Sequence, residues 1–179
     1  MSDFMDNVVA QVEAHGHVVI SIGSDKDTGA MPYCYTVGLT PIARCELILE
    51  GVPPARALTI LNAIARVVKA KGKLEPMVMI GALQDDFPLG IIPTNLSARS
   101  GRLSIAESLF PDIDNGIVFQ VALPDAERRL PWDDGYSLTG LNLMVTDPNS
   151  EATLERFREL PVEHVEAIIR SPESLQPLS

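Results

Sequence analysis

Apolar residues along the chain switch between two periods, and the switches mark the predicted elements. Met5, Val8, Val9 and Val12 recur at helical spacing and predict a short helix over 5–14, closed by Gly16 as a C-terminal glycine. From His17 the period shortens to two. Val18, Ile20 and Ile22 share one face of a strand, and the polar, Gly-containing stretch 23–32 leads as a hairpin loop into a second strand over 33–39. That second strand has two unlike faces. Tyr33, Tyr35, Val37 and Leu39 fall on one side; Cys34, Thr36 and Gly38 fall on the other, where a packed element can approach the backbone closely. A third strand over 45–52 sets Cys45, Leu47 and Leu49 facing one way.

Pro53-Pro54 then opens the strongest helical pattern, since a proline in the first turn loses no hydrogen bond. Leu58, Leu61, Ala65 and Val68 form its apolar stripe, and Lys69, Lys71 and Lys73 crowd the end that Gly72 closes. This helix is expected to cover the small face of the 33–39 strand. Further strands are predicted over 77–83 and 89–93 around an Asp85-Asp86 turn, a short helix over 100–110, and a strand over 117–123. Residues 124–140 are turn-rich, 151–160 and 162–169 read as two short helices broken at Pro161, and 171–179 as a frayed tail. Strands in hairpin order around one long helix predict a single α+β domain with a mainly antiparallel sheet, packed by that helix and several short ones. The core is expected over 1–140, with a C-terminal helical extension over 141–179. Neither GxGxxG nor GxxxxGK[ST] occurs.

Composition narrows the partners. A chain of 179 residues with 46% hydrophobic content supports one domain with a full core. A net charge of −10 disfavours nucleic acid and anionic lipid and is compatible with a basic protein partner or with solubility alone; a protein partner is expected, with a small-molecule ligand and homo-oligomers left open. The charge is uneven: among residues 51–100 the basic side chains outnumber the acidic ones, six to three, and every other stretch is acidic. No apolar run approaches the ~18 residues of a membrane span, and the acidic N-terminus is unlike a signal peptide, so a cytoplasmic location is expected. There reducing conditions leave Cys34 and Cys45 as free, buried thiols.

Each candidate for chemistry has a structural alternative. His15 and His17 form an HxH pair, a weak start to a metal site that lacks a third ligand; the preferred reading is that His15 caps or packs beside the helix end while His17 begins a strand. Cys34 and Thr36 share the small face without a sequence signature for a nucleophile. Tyr33 and Tyr35 can stack on a planar ligand or fill a core. Glu46, inside an apolar run, must be paired, exposed or perturbed, with Arg44, Arg56 or a backbone N–H as expected partner. Trp132 and Asp133, in Leu130-Pro131-Trp132-Asp133-Asp134-Gly135-Tyr136, form either a pocket rim or a tryptophan plug with an aspartate-capped turn. Arg128 and Arg129 are read as balancing nearby acids.

Gly16-His17-Val18-Val19, Tyr35-Thr36-Val37-Gly38-Leu39, Glu46-Leu47, Gly51-Val52-Pro53 and Leu130-Pro131-Trp132-Asp133 occur in an order and spacing that resembles a bacterial and phage family, domain of unknown function 4262, over roughly residues 10–138. His17 stands where that family tends to have tryptophan. The resemblance names a fold unit and implies no activity. Thr36-Val37-Gly38-Leu39, Glu46-Leu47-Ile48-Leu49 and Pro53-Pro54 are also similar to Suppressor-of-fused-like interaction domains. The leading expectation is a small binding module without catalysis or cofactor, of immunity, anti-defence or regulatory type, with Tyr33, Tyr35, Thr36, Glu46, Trp132 and Asp133 as candidate ligand or partner contacts. The alternative is a small-molecule- or flavin-binding, split-barrel-like domain, possibly an oxidoreductase, in which Arg56, Arg66, Lys69 and Lys73 meet a phosphate.

Overall fold

A computed structural model describes residues 2–24, 27, 29–84, 86–96, 101–111, 117–138, 143–145 and 147–170. The helix α1 (Ser2–His15) precedes a meander of β1 (Val18–Ile22), β2 (Tyr33–Val37) and β3 (Cys45–Glu50), with a single turn, α2 (Thr40–Ala43), between the last two. The long helix α3 (Pro54–Lys71) leads to β4 (Met77–Ile80) and β5 (Pro88–Pro93). Then come α4 (Ser104–Leu109), β6 (Ile117–Ala122), α5 (Glu151–Arg158), β7 (Val162–His164) and α6 (Glu166–Arg170).

The strands form one mixed sheet in the order β1-β2-β3-β6-β5-β4-β7. Two antiparallel meanders, β1 to β3 and β4 to β6, join where β3 runs parallel to β6. The chain is thus an α+β domain with a mainly antiparallel sheet, as the pattern of elements predicts. Near the C-terminus the expected second helix over 162–169 changes: residues 162–164 are a strand parallel to β4, and the helix begins only at Glu166. Pro161 still breaks the chain there, but its carbonyl accepts from Val78 N and so starts the ladder.

Alternation along the strands sorts the core. Cys45, Leu47 and Leu49 of β3, Phe119 and Val121 of β6, Leu89 and Ile91 of β5 and Met77 and Met79 of β4 pack against α3 in one cluster. Cys34 joins them, so the small face of β2 does receive the helix. The helix buries Ala57, Ile60, Leu61, Ile64, Ala65, Val67 and Val68. Leu58, assigned to the apolar stripe by spacing, instead faces solvent with 46% of its surface exposed.

The opposite face carries two clusters side by side. Tyr35, Val37, Ile48 and Val118 are covered by Val8 of α1 and by Leu103 and Ala106 at α4. Val78, Ile92 and Ala122 are covered by Leu130, Trp132, Val145 and Phe157. Between Val118 and Ala122 on β6 stands Gln120, whose Oε1 accepts from the backbone of Met144 at 2.6 Å. Central strands buried on both faces explain the nearly unbroken apolar runs of β3 and β5. No helix among the described residues is long and apolar enough to cross a membrane.

Candidate functional site

The most unusual group in the core is Glu46, fully buried on the central strand β3. Its Oε1 accepts from Gly38 N at 3.0 Å, Thr40 N at 3.0 Å and Thr40 Oγ1 at 2.8 Å, and its Oε2 accepts from Thr36 Oγ1 at 2.6 Å. Thr36 Oγ1 in turn accepts from Leu47 N at 2.8 Å, so its own proton goes to the carboxylate. Burial raises the Glu46 carboxyl to about 7; the hydrogen bonds from Thr36, Thr40 and Gly38 oppose that rise. Of the expected partners the backbone N–H is the one found, at Gly38 and Thr40, and neither arginine belongs to this set. Arg44 ends α2 in the left-handed conformation, with φ of 54°, and is exposed. Arg56 lies on the outer side of α3.

Gly38 makes this arrangement possible. Its φ is +117°, and a β-carbon there would lie 2.8 Å from the Gly16 carbonyl oxygen and 3.0 Å from His17 Cα. The turn between α1 and β1 therefore presses directly on the backbone that feeds Glu46. At that turn His17 is buried, with Nε2 2.8 Å from Asn62 Oδ1 of α3. Its Nδ1 is buried without a well-formed hydrogen bond, near the His15 backbone. Burial, with the Lys69 charge behind it, lowers the imidazole below its usual range, so the ring is neutral at pH 7. His15 is exposed, and no group of three His, Cys, Asp or Glu side chains among the described residues is arranged to hold a metal ion.

The two tyrosines stack at a centroid distance of 6.1 Å, but they do not share an open face. Tyr35 is fully buried, with Ser104 and the Ile105 backbone of α4 near its hydroxyl. Tyr33 is capped by the Arg102 guanidinium, 4.4 Å above its ring, and donates to the Arg102 carbonyl at 3.0 Å. Arg102 Nη2 also bonds Glu50 Oε1 at 2.6 Å. The tyrosine face is therefore closed by residues from after β5, which no local pattern in the sequence marks.

Trp132 lies in the other cluster, away from the tyrosines, as a plug against Phe157 at 5.3 Å between centroids. Asp133 is exposed and its Oδ2 accepts from Leu130 N at 2.7 Å, which closes the turn beneath the indole. Arg129 and Arg128 balance acids, as read: Arg129 Nε meets Asp125 Oδ2 at 2.9 Å and Arg128 Nη1 meets Asp86 Oδ2 at 3.1 Å. Asp125 is the organiser that pattern reading missed. Its carboxylate accepts from Glu127 N, Arg129 N and Ser137 N, and burial, which would raise it, is outweighed by these bonds and the Arg129 charge, which hold it below the usual carboxylate range.

The exposed chemistry gathers instead on α3. The helix holds four basic side chains, Arg56, Arg66, Lys69 and Lys71, and no acidic one, in a chain with 24 acids. Arg56, Thr59, Asn62, Arg66 and Lys69 follow one another at three- and four-residue steps and so lie along one ridge of α3. Lys71 pairs with Glu163 and Lys73 with Glu75, and Lys69 donates to the His15 carbonyl at 2.8 Å. Among the described residues no carboxylate pairs with Arg56 or Arg66. At the N-terminal end of the ridge a pocket of about 290 Å³ opens between Arg56, Thr59 and Ile60 of α3 and Leu83, Gln84 and Phe87 of the β4–β5 turn.

A family model described as domain of unknown function (DUF4262) matches residues 11–137, and the chain belongs to that family. The match spans α1 to the Trp132 turn, the segment that contains the Glu46 network. No curated protein matches the chain, and no solved structure matches it.

Proposed function

We propose that this member of the domain of unknown function 4262 family is a binding module without catalysis, of regulatory, immunity or anti-defence type, which docks an acidic segment of a partner protein along the outer ridge of α3. One observation carries the reading: Arg56 and Arg66 stand exposed on a helix without acids, with no carboxylate partner among the described residues, while the chain as a whole has a charge of −10. Complementary charge steers and orients association, and an isolated basic ridge on an acidic protein selects an acidic segment while repelling acidic surfaces elsewhere. The reactive groups support the noncatalytic part of the reading. Both oxygens of Glu46 are taken up by donors inside the fold, and both thiols are buried.

The test is binding of a fluorescein-labelled peptide rich in Asp and Glu, followed by anisotropy at rising salt. Binding that weakens with salt and falls at least tenfold in R56E/R66E, with an unchanged circular dichroism spectrum, is the expected result. Equal binding by the variant, or none at low salt, overturns it. So does sedimentation showing a dimer that R56E/R66E dissociates, because the ridge then serves a second copy of this chain.

A further inference from the structure

We infer that the pocket at the N-terminal end of the α3 ridge is the anchor site for the docked acidic segment, taking one aromatic or large aliphatic side chain from it while Arg56 pairs with a neighbouring carboxylate. This rests on the docking face proposed above and specifies what that face recognises.

The pocket has an apolar floor and a polar rim. Ile60 is fully buried, and Leu83 and Phe87 are half-buried and packed against the α3 core. Arg56, Thr59 and Gln84 are exposed around them. Such a mixture is the composition of a site that buries one apolar group and orients it by a few polar contacts. The size agrees: a cavity of roughly 150 Å³ admits a benzene-sized ring, and this open pocket has about 290 Å³. Its walls are held in place. Phe87 N donates to the Gln84 carbonyl at 3.1 Å, which closes the β4–β5 turn, and Thr59 Oγ1 donates to the Ala55 carbonyl at 3.1 Å.

The electrostatics single out Arg56 as the charge partner. No described carboxylate pairs with Arg56, and Asp86, next to Phe87 in the chain, pairs with Arg128. Thr59, with its proton spent on Ala55, presents an acceptor and a methyl group to the pocket and does not attract an anion. The carboxylate of the ligand therefore goes to the Arg56 side and the apolar group goes between Thr59 and Phe87.

Spacing adds a second requirement. Arg56 and Arg66 are ten residues apart on α3, or about 15 Å at 1.5 Å per residue. An extended peptide covers that distance in roughly four to five residues at about 3.3 Å each. The recognised segment thus has an apolar anchor beside one acidic residue, and a second acidic residue four to five positions away.

Two labelled peptides test this on the full chain. One is acidic with a single central Phe; the other is identical with Ser in its place. The Phe peptide is expected to bind at least tenfold tighter. Thr59→Trp, which fills the pocket from the exposed side of α3, is expected to remove that preference, so that the two peptides bind the variant equally. Gln84→Trp fills it from the turn and serves as the second variant. Equal binding of the two peptides to the native protein overturns the anchor and leaves the ridge reading intact. Binding of neither peptide overturns the ridge reading, and the anchor with it. A preference for Phe that survives both pocket-filling variants also overturns the anchor, because the apolar contact then lies elsewhere.

Discussion

The indole of Trp132 rests on Gly90, so closely that a β-carbon on Gly90 would overlap Trp132 Cη2. The glycine on β5 and the tryptophan in the turn after β6 are one packing unit. The absent side chain on the strand is what lets the largest side chain of the loop reach the sheet.

Gly90→Ala is therefore expected to destabilise the fold by about 1–3 kcal/mol through overpacking. Trp132→Ala removes the plug and is expected to cost about 3–5 kcal/mol. In the double variant the added methyl has room, so the two costs add to less than their sum, a coupling that a double-mutant cycle in urea measures. Trp132 is the only tryptophan, so in Gly90→Ala a red shift of native fluorescence reports its displacement directly. Full additivity would show that the two residues do not share the site.

Glu46 predicts a pH dependence opposite to that of an ordinary paired carboxylate. Its carboxyl is raised by burial from the usual 4.5 to about 7, so between those values the folded state holds a proton that the unfolded state has released. Stability is then greatest below about pH 4.5 as far as this group is concerned, falls as pH rises through 7, and is flat beyond it. The contribution is at most about 3–4 kcal/mol, from roughly 1.4 kcal/mol per unit. The check is the midpoint of urea unfolding from pH 5 to 8 in the native chain and in Glu46→Gln. The variant should show a flatter profile; an unchanged slope would assign the dependence to another group.

How much of this was legible depends on how local the cause is. The ends of α3 were readable because Pro54 and Gly72 act within one turn, and the strands of the first meander because their period is two. Val162–His164 was not, because three residues carry no usable period and their pairing with β4 is set by residues 84 positions earlier. Glu46 stands out as an acid in an apolar run and a backbone N–H is among its expected partners, but which residues supply it is not legible. The turn after β2 folds Gly38 and Thr40 back onto it, and backbone N–H groups leave no trace in a sequence. Tyr33 looked available because its cap, Arg102, lies 69 positions away. The basic ridge could be read from helical spacing alone, whereas the pocket at its end requires a β-turn from the next hairpin.

Gly38 offers a sharper test of the Glu46 network than removing the acid does. Its positive φ and its contact with the Gly16 carbonyl both oppose a side chain, so Gly38→Ala is expected to cost more than 2 kcal/mol, above the ~1 kcal/mol typical of lost glycine freedom alone. Gly72 is the control: its φ is +67° but nothing lies within 4 Å, so Gly72→Ala is expected to cost about 1 kcal/mol or less. Thermal unfolding of the two variants side by side decides it. Equal losses would mean that the contact between the α1–β1 turn and Gly38 contributes nothing beyond backbone conformation.

The cysteines report on the packing of α3 over both ends of the β2–β3 pair: Cys45 adjoins Glu46, and Cys34 lies opposite Leu49. Cys34 and Cys45 are free and nearly inaccessible, at 2% and 1% exposure. Burial, with the Glu46 charge behind it, raises the Cys45 thiol to about 12, so almost none of it is thiolate at pH 8. An aromatic disulfide reagent should therefore label both thiols rapidly in urea but in native buffer only as fast as the protein opens. Destabilising the Glu46 network with Gly38→Ala should raise the native labelling rate exponentially with the lost stability, about tenfold for each 1.4 kcal/mol, as long as closing outpaces labelling. Immediate labelling of either thiol in the native chain would contradict the packing of α3 on β2 and β3, on which the position of the ridge depends.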